Sequence, residues 1–176
     1  MANTNILQLP VAVGVNADDY IPIVQGTGTS ASTKRTTAQA VADQFANNLP
    51  CSIEYVLDDG GVTINTGNKG YLQMPFGGQF TAVTLLGNTT GSIVIDLWKC
   101  TYAAFDGGIT TPSASNSIVG GHYPTISSGT KYTLTDLSSW TDTSFNATDI
   151  LAFVVNSCTS FTRMTISLKA TRTVSQ

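Results

Sequence analysis

Few side chains in this 176-residue chain could do chemistry, and their spacing limits what that chemistry could be. His122 is the single histidine, in the loop Gly120-Gly121-His122-Tyr123-Pro124. A nucleophilic triad needs a histidine held between a serine and an acid, and no local pattern supplies that, so His122 reads as a surface loop residue. Nothing has the HxxH or HExxH spacing of a transition-metal site. The adjacent acid pairs are Asp18-Asp19 and Asp58-Asp59. Neighbouring carboxylates can offer oxygens to calcium, but the calcium-loop spacing is absent. Asp58-Asp59-Gly60-Gly61 reads instead as a turn. Glycoside hydrolysis needs two carboxyls facing each other across a cleft, and the 11 acids sit mostly in turns. No catalytic residue, metal ligand or cofactor is therefore assigned, and the chain is not expected to be an enzyme. Cys51, Cys100 and Cys158 are odd in number and far apart. That fits neither a disulfide framework nor CxxC zinc pairs. They read as free thiols, as in a protein folded in a reducing cytoplasm.

Aromatic rings are the other candidates, because a sugar ring can lay its C–H face on one. Trp98 lies mid-strand and reads as core. Trp140, in the polar run Leu137-Ser138-Ser139-Trp140-Thr141, is the better glycan contact, with core closure as the competing reading. Tyr123 is the second candidate for such a contact.

The elements that would position these residues are mostly strands. Thr (27), Ser (16), Asn (11) and Gly (16) dominate, while charged residues are only 11%. Eight Lys+Arg and a net charge of −3 leave no basic field for phosphates, so nucleic acid is not expected as a partner. No run is long and apolar enough to enter a membrane, and the first ten residues do not look like a signal peptide.

The chain divides near Leu49-Pro50. Residues 18–25 form a short extended run, and 26–32 read as a flexible Gly/Ser/Thr link. In Thr36–Leu49, Val41, Phe45 and Leu49 fall at i, i+4 and i+8, which predicts a short helix over about 37–48. Thr36 or Thr37 can cap it and Pro50 blocks its continuation. From Cys51 on, alternation predicts strands. Ile53, Tyr55 and Leu57 share a face. Residues 65–70 read as a second turn, and 71–76 and 79–86 as strands. Gly87-Asn88-Thr89-Thr90-Gly91 reads as a hairpin loop. Ser92–Tyr102 reads as a central strand, with Ile93, Ile95 and Leu97 on one face and Val94, Asp96 and Trp98 on the other. Residues 106–130 read as an excursion with short strands at Ile118-Val119 and Tyr123–Ile126. Tyr132–Leu134, Ile150–Asn156 and Phe161–Thr171 complete a mainly β chain. The expected fold is an antiparallel β-sandwich over 51–176, of jelly-roll or immunoglobulin-like type. Ahead of it, residues 1–50 form an extended anchor with one short helix.

Several segments carry a resemblance: Ile53-Glu54, Thr66–Gly70, Pro75-Phe76, Val83–Leu86, Gly91–Lys99, Thr101–Phe105 and Thr162–Arg172. In the N-terminal part they are Leu9-Pro10, Asp19, Ile21–Gly26 and Thr33-Lys34-Arg35. The chain resembles structural proteins of tailed bacteriophages, specifically small head or tail fibre and appendage proteins. The resemblance implies a virion structural protein, made in the host cytoplasm before assembly. Its N-terminal segment would dock on capsid, connector or tail, and its β-sandwich would be displayed. The docking residues would be Asp19, Pro22, Val24, Gln25, Lys34, Arg35, Val41 and Phe45. A homotrimer is implied too, and a lone helix with so narrow an apolar stripe also calls for a partner surface. The alternative implied roles are a capsid decoration or head-fibre protein, or a module that binds a host glycan or receptor.

Overall fold

The computed structural model describes residues 16–25, 32–46, 49–106 and 111–173. They belong to two compact units, Met1–Ala46 and Asn47–Gln176.

The small unit is a hairpin followed by a helix. Strand β1 (Tyr20–Gln25) pairs antiparallel with β2 (Ser32–Thr37), Tyr20 opposite Thr37 and Gln25 opposite Ser32. The extended run at 20–25 is thus present, as the first strand of a hairpin within the chain. Strand β2 begins at the last residue of the predicted flexible link, whose residues 26–31 lie outside those described. Helix α1 (Ala38–Ala46) starts at once after β2. Its first amides need acceptors. Thr37 Oγ1 accepts from the Ala40 N–H at 3.1 Å, and the carbonyls of Asp19 and Ala17 accept from Ala38 and Gln39. The cap is the predicted Thr37, the helix starts one residue after the predicted 37, and the last two predicted residues, 47 and 48, lie outside those described.

The large unit holds seven strands: β3 (Leu49–Asp58), β4 (Gly67–Gln73), β5 (Gly77–Cys100), β6 (Thr125–Leu134), β7 (Ser144–Phe145), β8 (Ile150–Thr159) and β9 (Arg163–Thr173). All pairings are antiparallel, in the order β3-β9-β5-β8-β4, with β6 and β7 also on β5. The predicted hairpin at 87–91 does not form. β5 runs straight through it, paired to β9 over Gly77–Gly87 and to β8 over Ser92–Cys100. β8 and β9 therefore lie end to end along one edge of β5. The second predicted turn, at 65–70, is partly strand as well: β4 starts at Gly67 and carries a bulge between Asn68 and Tyr71.

This arrangement makes one sheet with two halves, which curl to face each other. Tyr55 on β3 stacks on Phe153 of β8, centroids 3.9 Å apart and planes 5° from parallel. These strands share no ladder, so the contact crosses the interior. The Tyr55 hydroxyl donates to the Lys69 carbonyl of β4 at 2.9 Å. Inward rows meet there: Val83, Leu85, Ile93, Ile95 and Leu97 of β5 against Ile53, Leu57, Phe153, Ile166 and Leu168, all in one buried cluster. The curl occurs where β8 passes to β9. Phe161, fully buried, lies over Gly87 and Gly91, and a Cβ on Gly87 would overlap its ring. A Cβ on Gly91 would meet the Thr159 carbonyl oxygen. The mostly β, antiparallel, sandwich-like fold predicted from alternation is present, with one short helix.

The 106–130 excursion differs from expectation. Ile118 and Val119 are buried but form no strand, and β6 begins only at Thr125. A bridge between Ser117 and Trp98 and bonds from Ile118 to Leu97 and from Ile95 to Pro124 tie the excursion onto β5.

Candidate functional site

The small unit carries all eight residues singled out for docking. On one face of the hairpin and helix, Ile23, Thr36, Ala40, Val41, Gln44 and Phe45 line an open groove of about 350 Å³. Its lining is more apolar than polar, with Thr36 and Gln44 as its polar members, and none of the six is charged. Val41 is half-buried, and Phe45 is 75% exposed. The predicted stripe thus leaves its largest ring in water, where a protein contact would gain its burial, about 25 cal/mol per Å².

The other predicted docking residues do not line this groove. Asp19 has a structural role. Its carboxylate accepts from the Asn16 N–H at 2.8 Å, and its carbonyl holds the start of α1. Pro22 is exposed opposite Arg35 in the ladder. Val24 and Gln25 sit opposite Thr33 and Ser32. Lys34 is exposed. The Arg35 guanidinium lies 4.6 Å from the Tyr20 ring centroid, a cation–π contact. The structure brings Val41 and Phe45 together, while Lys34 and Arg35 alternate to opposite faces of β2.

In the large unit most polar groups are already engaged. Asp59 accepts from the Asn65 N–H and from Lys69 Nζ at 2.7 and 2.9 Å. Asp58 pairs with Arg163 and accepts from the Gly60 N–H. The acid pair therefore serves a turn and two ion pairs. Among the described residues, no three His, Cys, Asp or Glu side chains group as a metal site. His122 is exposed in its loop. Trp140 is only 6% exposed and belongs to the core, so its ring offers no stacking face. Tyr123 is 39% exposed. Trp98, predicted as core, is half-buried, and its indole donates to Asp96 at 2.7 Å. The three cysteines are unpaired and half-buried. Burial pushes each thiol up, away from the reactive thiolate. No helix among the described residues is long and apolar enough to cross a membrane.

Sequence reasoning missed Asp96. It alternates outward on a central strand, where a carboxylate normally meets water, yet it is 3% exposed. The excursion covers it, and Ser117 Oγ donates to it at 2.7 Å. No sequence signal marks that cover.

Four carboxyls are held below the usual range. The Gly60 N–H and then Arg163 do so for Asp58, the Asn65 N–H and then Lys69 for Asp59, and Ser138 for Asp136. At Asp142 burial pushes upward, but Lys99 and Ser144 together outweigh it. A lowered pKa in the folded state adds stability above the ordinary carboxylate range, and that stability is lost as pH falls through the folded value. The urea midpoint should hold from neutral pH to about 5 and drop below about 4. Lys99→Met should flatten part of that drop by removing the partner of Asp142. An identical acid profile in the variant would show that the Lys99–Asp142 pair contributes nothing.

No known family and no curated protein matches the sequence. Among solved structures, the chain is similar to one in the cyanophage Pam1 capsid asymmetric unit, at 14% identity and a TM-score of 0.29, covering 98% of this chain and 99% of that one. It is also similar to a chain of the Israeli acute paralysis virus particle heated to 63 degrees, at 12% identity and a TM-score of 0.31, covering 95% and 94%. At such scores the fold assignment rests on the strand pairing described above.

Proposed function

We propose that this chain is a structural subunit of a virus particle, docked through its small unit and carrying the β unit outward. One observation carries the reading: a separate small unit presents Phe45 and Val41 on an open apolar groove. The large unit meanwhile engages Asp58, Asp59, Asp96 and Asp142 in its own contacts and buries its Trp140 ring. The residues that resemble phage structural proteins support the same role. Fibre, adaptor and capsid-decoration subunits would all use such a foot, and locating the protein on imaged particles separates them. A homotrimer belongs to this reading and predicts three times the 18.5 kDa chain mass in solution.

Phe45→Asp tests the docking. It puts a charge where burial is required, and the exposed position leaves folding intact. Copies per particle, counted by quantitative mass spectrometry, should fall at least about tenfold, the equivalent of about 1.4 kcal/mol. Unchanged incorporation would reject the groove as the foot.

A further inference from the structure

Open sheet edges invite pairing with another strand, and proteins normally blunt them. Most edges here are blunted. β1 carries Pro22, which has no N–H to donate. β4 has a bulge between Asn68 and Tyr71, with Gly67 and Gly70 at φ +103° and +142°. β6 has two register shifts and Ser128 at φ 50°. β7 is two residues long. Two edges offer a stretch without such an interruption. β2 pairs with β1 in unbroken register over Ser32–Thr37, and β3 pairs with β9 in unbroken register, with its one proline, Pro50, at its second residue and Cys51–Asp58 clear beyond it. Among the described residues, neither has a strand on its other side.

Their charges are complementary. β2 carries Lys34 and Arg35 and no acid, and β3 carries Glu54 and Asp58 and no base. Asp58 is occupied by Arg163. Glu54 is not paired with a cation. The hydroxyls of Ser52 and Ser167 both donate to its Oε1, at 2.5 and 2.6 Å, which orients the carboxylate and leaves Oε2 open. Lys169 lies on the neighbouring strand opposite Ser52 and forms no ion pair with Glu54. Lys34 likewise has no acidic partner among the described residues.

We propose that β2 of one copy adds to the β3 edge of a second copy, antiparallel, with Lys34 facing Glu54. That register also sets Thr36 opposite Ser52. Main-chain bonds supply the affinity and the ion pair selects the register. The contact is head-to-tail, so it closes into a ring if the rotation permits. It stands whether or not the copies sit on a particle.

The test is light scattering of the purified full-length chain over a concentration series. The wild type should exceed 18.5 kDa, increasingly so with concentration and less so in high salt. Lys34→Glu and Glu54→Lys should each weaken association about tenfold, by setting like charges opposite one another. The double variant, with the pair reversed, should return to within about twofold of the wild type, which also shows that its copies are folded. A wild type that stays at one-chain mass overturns the inference and leaves Lys34 and Arg35 as guards of an unpaired edge. Association that ignores both single changes, or a double variant no better than either single one, overturns it too.

Discussion

Phe161→Ala is expected to lower the unfolding free energy of the β unit by about 3–5 kcal/mol. That is at least about a fifth of the roughly 5–15 kcal/mol that such a domain usually has. The ring is fully buried where β8 passes to β9, and it lies over the backbone of β5 at Gly87 and Gly91. Removing it leaves a cavity at the curl, where both halves of the sheet are held in place by ladders and cannot easily collapse inward. Urea unfolding of the full chain measures the loss, and Phe161→Leu should cost clearly less. The two glycines make the account more specific. Gly87→Ala alone should cost about 1–3 kcal/mol by overpacking. In the Phe161→Ala background that cost should largely disappear, since the obstacle is the ring itself. Gly91→Ala should show no such rescue, because its nearest neighbour is the Thr159 carbonyl oxygen, which stays. Equal coupling at both glycines would mean that the ring is not what Gly87 accommodates.

Asp96→Ala is the second large effect, at about 2–4 kcal/mol. The carboxylate accepts from Ser117 Oγ, from the Trp98 indole and from the Leu97 N–H. A buried donor left without an acceptor costs about 1–3 kcal/mol, and the half-buried Trp98 falls toward the low end. Asp96→Asn should lie between alanine and wild type. Its carbonyl can still serve Ser117 and Leu97, but its amide turns a donor toward the indole. Because Ser117 begins the part of the excursion that bridges to Trp98, both changes should also speed proteolysis within residues 111–124 and shift Trp98 fluorescence. An asparagine variant with wild-type stability and an unchanged cleavage pattern would mean that the carboxylate does not pin the excursion.

Much of the β unit is legible in the sequence because alternation is a local property. Alternation puts Ile93, Ile95 and Leu97 on one face, and they are buried as a row. Thr37 is one of two expected caps and serves as the cap. The departures from expectation share a cause. Gly87-Asn88-Thr89-Thr90-Gly91 has the composition of a turn. In the fold, β6, β8 and β9 flank β5 around this stretch, and their ladders outweigh the local preference. Gly87 is needed for close approach to a ring and Gly91 for close approach to a carbonyl, demands that leave the same letters in the sequence as a turn does. Trp140 misleads in the same way: its neighbours in the chain are polar, but its neighbours in space are core side chains.

The candidate docking site is half legible. The spacing of Val41 and Phe45 marks one helix stripe, and the structure puts both on one groove. The hairpin that supplies Ile23 and Thr36 to that groove has no such mark, since no turn signal shows which two extended runs pair. By itself, the sequence determined which residues share a face, where the helix starts, and how few charges there are to place. These follow from backbone periodicity, capping and counting, which need no knowledge of partners. The tertiary structure alone decided which strand runs through and which stops, which rings meet water, and which two edges remain open. Those outcomes depend on what lies across a ladder or a core, often a hundred residues away in the chain.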